Sequence, residues 1–384
     1  MEIGESISVP APLASGETKF LRAEVVKVVF ESTVKVAVAK ATVQEPHWEK
    51  GQAVEESTWS LGSQQVSGLY SKRPAAYLRK SAGGSRVATV TVKVTASNVS
   101  GTGKLVGALS SLRFEGDCPL GAGEHIVVAE LKEVPDAFNG FGGNIAWTLE
   151  GDELSAALNG TRAEIFFVYA DPHKAYRNGV WVEALRFLAS RPMLRGTGKP
   201  ADAVAKIVRY CHGHHGLKYD SAGGGRSNYG VGPSGGIFRL SNYMERVQQY
   251  ANCYDQAGAV EALCGAAGVV VEWIFLDPFG FIRPANLLGY GLCNNPFFLS
   301  TAPPGDRLAG VNDVDRTPFG NHAFSRWTAK ILDACAGPHT GTESASQYVD
   351  SSIDSGTSLY GYYSGFRPGT AADMLVCPGL SGVS

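Results

Sequence analysis

Valine alternates with charged and small polar residues through the first part of the chain. Ala23-Glu-Val-Val-Lys-Val-Val-Phe30 and Thr33-Val-Lys-Val-Ala-Val-Ala39 set the pattern, and Val87-Ala-Thr-Val-Thr-Val-Lys-Val94 repeats it. Period-two alternation rich in β-branched residues predicts strands with one buried face. Residues 125–134 and 163–169 are further strand candidates, and clusters of Gly, Asn, Asp and Ser separate them. Short strands at such intervals predict an all-β, antiparallel sandwich-like or barrel-like domain over residues 1–190.

The period changes after Trp181. Residues 181–189 have helical spacing, and 191–200 read as a linker or exposed loop. Pro200 suits a helix start, with Ala203, Val204, Ile207, Val208 and Cys211 on one face. Residues 221–236 hold seven glycines and read as a surface loop or a gating cleft edge. Helices are expected over 240–250 and 252–267, the second ended by Gly268. Strands follow over 269–276, 320–327 and 330–335, and 341–384 are weakly patterned. Helices feeding a sheet predict an α+β domain over 191–384.

Composition narrows the function. A chain of 384 residues suits two domains, and 44% hydrophobic against 18% charged residues provides for a core in each. The net charge of −2 lacks the basic footprint of a nucleic-acid binder. No run of about 18 apolar residues predicts a membrane span. Glu2, Glu5 and Glu17 without a basic stretch argue against a signal peptide, so the expected location is the cytoplasm, or outside the cell by a route without a cleaved leader. Seven irregularly spaced cysteines with no Cys-x-x-Cys favour reduced thiols over a disulfide framework. Cys211-His-Gly-His-His215 is rich in ligand atoms but has no second cluster, so no metal and no cofactor is expected.

The candidate chemistry lies at Ala251-Asn-Cys-Tyr-Asp-Gln-Ala257. Cys253 falls in the first turn of a predicted helix, where free N–H groups and the positive end of the dipole favour a thiolate. The plain alternative is a small buried hydrophobe, the reading given to Cys264. An imidazole partner and its orienter are sought next. If 320–327 and 330–335 pair about Thr328-Ala329, facing residues sum to 657. His322 and Asp333, summing to 655, then project from the same face on a close diagonal. Thr-Ala offers nothing that favours positive φ, which weakens this hairpin.

In this order, the cysteine-headed helix, Asn321-His-Ala-Phe324 and Ile331-Leu-Asp-Ala334 resemble the transglutaminase-like superfamily of papain-fold cysteine peptidases, amidases and transamidases. The helix 203–210 followed by Tyr219-Asp220 is similar to the family's lead-in, so the likeness covers about 199–340. It implies a transglutaminase-like (papain-like) catalytic domain, with Cys253 as nucleophile, His322 as general base and acid, and Asp333 as orienter. It further implies a protein or peptide substrate and acyl transfer through a thioester. Tyr254 and Asp255 depart from the family's usual residues after the cysteine. The oxyanion donor is open among Gln248, Gln249 and Asn252. A long interval before His322, including 294–298 and 302–306, is expected to build a cleft wall. Hydrolysis is favoured, because no second amine site and no EF-hand calcium loop is present. Transamidation or glutamine deamidation, as by a secreted bacterial effector, and an inactive binding module are the other readings.

Overall fold

The computed structural model describes residues 19–61, 64–152, 154–190, 194–223, 225–297 and 307–384. The absent leader expected over 1–17, and residues 298–306 of the expected cleft wall, lie outside the described residues.

Sheet dominates the first half. Ten strands form one sheet, whose main path runs His47–Glu49, Leu21–Phe30, Val87–Ser97, Gly123–Leu131, Leu112–Pro119, Thr102–Leu109, Asn139–Glu150, Thr161–Val168, Ala75–Leu78. Every pair on this path is antiparallel except the last. Alternation sends Ala88, Val90, Val92 and Val94 to one buried face. The sheet is strongly rolled. Phe30 and Phe114 sit on strands separated by two others, which in a flat sheet is roughly 14 Å. Their ring centroids are 6.3 Å apart, and Phe114 also meets Trp147 at 6.1 Å. Buried side chains from all these strands except His47–Glu49 share a core drawn only from residues 21–167, and the half-buried Trp48 packs against it.

The strand Thr161–Val168 is buried along its whole length. Its alternation divides it between two cores. Ala163, Ile165 and Phe167 point into the rolled sheet, while Phe166 and Val168 join the second core. Ala76, next door on Ala75–Leu78, joins the second core as well. Glu164 lies on the outward face and is pinned by Arg186 of the helix Val182–Ser190. Arg186 donates through Nε at 2.9 Å and Nη2 at 2.8 Å. Glu164 also accepts from the Ser71 amide at 2.9 Å. Bidentate geometry and this further donor are what make such a buried pair tolerable.

The second core surrounds the helix Cys253–Ala266, in which every residue but Tyr254 is buried. It shows no apolar stripe because it is apolar nearly all round, the pattern of an enclosed helix. Small residues allow close neighbours: a Cβ at Gly265 would stand 2.5 Å from the Cβ of His173. The helix packs on His322–Trp327, the centre of a five-stranded antiparallel sheet ordered His339–Thr340, Lys330–Asp333, His322–Trp327, Glu272–Leu276, Met374–Cys377.

The weakly patterned C-terminus contains the strand Gly379–Val383, which runs parallel to Gly235–Phe238 of the glycine-rich segment. The glycines there serve backbone approach, since a Cβ at Gly235 would lie 2.0 Å from the Gly379 carbonyl oxygen. The two backbones are held to the central helix by Glu261, which accepts from the Leu380 amide at 3.0 Å and stands 3.4 Å from Nε2 of His173. Burial pushes Glu261 up to about 7 and His173 down, so both favour their neutral forms. The native state thus keeps a proton on Glu261 that the unfolded chain loses above about pH 4.5, and stability contributed here falls as pH rises from there through 7. Glu261→Gln should remove this term, and His173, which acts in the opposite sense, largely cancels in the comparison. Wild type is expected to lose up to about 3 kcal/mol relative to Glu261→Gln between pH 4.5 and 8, measured by denaturant unfolding.

Candidate functional site

Cys253 is the first residue of the central helix, and a capping box fixes that start. Asn252 takes an extended conformation, and its Oδ1 accepts from the Asp255 amide at 3.0 Å. Oδ2 of Asp255 accepts from the Asn252 amide at 3.1 Å. Asp255 does more than cap. Its carboxylate also accepts from Ser227 Oγ at 2.7 Å and from the amides of Asn228 at 2.9 Å and Tyr229 at 3.0 Å. Burial, the largest influence, leaves its pKa raised in spite of these donors. The glycine-rich segment, expected as a free surface loop or gate, is therefore tied over residues 227–229 to the turn that carries Cys253.

His322 opens its strand, and Asp333 closes the next. The hairpin pairs Ser325 with Leu332, Arg326 with Ile331 and Trp327 with Lys330, so facing residues sum to 657. Thr328 and Ala329 adopt positive φ of 48° and 63°, as a two-residue turn requires, although neither residue favours it. His322 Nε2 stands 2.8 Å from Asp333 Oδ2. Oδ1 of Asp333 accepts from the Cys335 amide at 2.7 Å and the Ala336 amide at 3.3 Å, and Oδ2 also accepts from Tyr348 Oη at 2.9 Å.

The imidazole has no solvent exposure and is enclosed by the rings of Phe279, Phe319 and Phe324 at 5.1, 5.5 and 5.8 Å. Its Nδ1 is buried without a hydrogen bond of ordinary geometry. Cys253, itself 4% exposed, interacts with this ring as a hydrogen-bonding neighbour. Burial alone would lower the imidazole pKa. The charge and hydrogen bond of Asp333, joined by Cys253, outweigh it and hold the ring well above its usual range. Burial likewise would raise Asp333, and the imidazole, His339 and the Cys335 amide reverse this.

The three oxyanion candidates lie differently. Gln248 and Gln249 are exposed, and their backbone carbonyls accept from Tyr229 Oη and the Lys218 amide. Asn252 is fully buried, with Nδ2 donating to the Gly225 carbonyl at 2.6 Å and Oδ1 occupied by the cap. The cap uses the Asp255 amide and leaves those of Cys253 and Tyr254 at the helix start. The ligand-rich run disperses. His212 reaches the Ala334 carbonyl, while His215 stacks on Tyr243 and meets its carbonyl at 2.6 Å. Among the described residues, no three His, Cys, Asp or Glu side chains gather as metal ligands.

Sequence reasoning named Asp255 only as a departure from the family pattern and did not name Tyr348. The spacing Asn252-x-x-Asp255 is a readable capping signal. Tyr348, on the helix Ala345–Ser352, has no local signal for its contact 15 residues back.

No protein-family model and no curated protein matches the chain. Among solved structures, red sea bream transglutaminase is similar with a TM-score of 0.40 and 11% identity, over 69% of this chain and 50% of that one. The chain thus spans half the length of that protein.

The Asp255 network predicts a local effect. Asp255→Asn turns one acceptor into a donor facing other donors. It is expected to cost about 1–3 kcal/mol in thermal unfolding. It should also accelerate tryptic cleavage after the exposed Arg226 in the native protein.

Proposed function

We propose that the chain is a cysteine-dependent acyl-transfer enzyme that hydrolyses a peptide or side-chain amide. The observation that carries this reading is a buried imidazole with Nε2 on Asp333 and Cys253, at a helix start, as its other hydrogen-bonding neighbour. His322 takes the thiol proton, and the Cys253 sulfur adds to the amide carbonyl carbon. The developing oxyanion faces the Cys253 and Tyr254 amides at the helix N-terminus, whose donors are worth roughly 3 kcal/mol each at a transition state. The C–N bond breaks as His322 gives its proton to the leaving amine. Water, deprotonated by His322, then adds to the thioester, and the C–S bond breaks to release the acid and the thiol. Asp333 holds the ring and stabilises its charged form. The rolled sheet and the separate two-stranded hairpin Glu55–Leu61 and Gln64–Ser71 would position the substrate or a partner.

Three measurements test this. A thiol-directed electrophile should label Cys253 faster than the fully buried Cys264 or the partly exposed Cys377, and equal rates would refute the nucleophile. Mass spectrometry of candidate proteins after incubation with wild type and Cys253→Ala should show cleavage or deamidation with wild type alone, whereas crosslinks would assign transamidation. On a substrate so found, Asp333→Asn should lower kcat by roughly 10²–10⁴-fold. It should also move the alkaline limb of the pH profile to lower pH, since Asp333 raises the imidazole's proton affinity.

A further inference from the structure

The Asp333 carboxylate divides its work between its oxygens. Oδ1 takes the backbone amides of Cys335 and Ala336, which fix the plane of the group. Oδ2 takes His322 Nε2 at 2.8 Å and the phenol of Tyr348 at 2.9 Å. The imidazole and the phenol therefore compete for the charge of one oxygen atom. Tyr348 has no solvent exposure, and its ring is fixed against Phe324 at 4.7 Å and edge-on to His339 at 4.8 Å. Its helix is placed by a capping box of Ser344 and Gln347. Phe would keep these ring contacts, and among the described residues the hydroxyl bonds to Asp333.

We infer that Tyr348 is a positioning residue of the proposed site, whose phenol draws charge from Asp333 Oδ2 and so tempers the grip of the carboxylate on the His322 imidazolium. This rests on the reading of His322 as proton carrier. A carboxylate with no second donor on Oδ2 would hold the imidazolium proton more tightly, and transfer to the leaving amine would be slower. The phenol remains a donor throughout, because burial and the Asp333 charge raise its pKa well above the ordinary value. Other groups facing this cluster are His339, which pairs with Glu343 and reaches Ser352, His212 at the Ala334 carbonyl, and the thiols of Cys253 and Cys335.

The test is histidine-selective ¹⁵N NMR of the full chain, which reads His322 without a substrate. In Tyr348→Phe the Nε2–H proton of His322 should move downfield, and its titration midpoint should rise by about half to one unit, a roughly 3–10-fold gain in proton affinity. Replacing Tyr348 by 3-fluorotyrosine, a stronger donor of nearly the same shape, should shift both in the opposite direction, and it stays informative should Tyr348→Phe not fold. Shifts absent in the Phe and fluorotyrosine proteins, or running in the same direction in both, overturn the inference. Failure of Cys253 to label would instead strike the proposed reaction, and leaves this coupling measurable.

Discussion

A buried carboxylate must find donors, and Asp255 finds four in two segments that are about 25 residues apart in sequence. The capping box sets the first turn of the central helix, and the same carboxylate draws Ser227, Asn228 and Tyr229 onto that turn. The position of Cys253 thus depends on a group two residues along that never touches the thiol. The device recurs. Glu164 ties the rolled sheet to the helix Val182–Ser190, Glu261 ties the central helix to the last strand, and Asp333 joins the hairpin to the helix bearing Tyr348. Each acid offsets its desolvation by collecting donors from elements that sequence separates.

The alternating strands were legible because one face of each is buried, and 87–94 shows this most clearly. The face shared by His322 and Asp333 was legible from residue numbers once the pairing about Thr328-Ala329 was assumed, since any even shift of register keeps both side chains on one face. The turn itself was not legible. Thr328 and Ala329 accept positive φ because ladder bonds and burial on both sides of the hairpin outweigh local preference. The glycines of 221–236 read as looseness, yet Gly235 is there so that two backbones can touch. The pairing of Gly235–Phe238 with Gly379–Val383 spans some 140 residues, a distance at which local pattern says nothing.

The surroundings of His322 show why local chemistry alone underdescribes a site. Three phenylalanines exclude water from the ring, and that exclusion strengthens the pairing with Asp333. Phe279 and Phe319 come from segments with no catalytic signature. Their contribution is to hold the dielectric low around groups that the motif does identify.

The strand Thr161–Val168 belongs to two cores at once, and this bears on how the molecule comes apart. Neither half has a complete surface without it. A cut on either side would leave Phe166, Val168 and Ala76 bare on one fragment, or take a wall from the core of the other. The expected behaviour is a single cooperative unfolding unit rather than two foldons in series, with amide protons of this strand exchanging only through global opening. A fragment bearing Cys253, His322 and Asp333 alone would then be a poor surrogate for the whole chain, however self-sufficient its chemistry looks on paper.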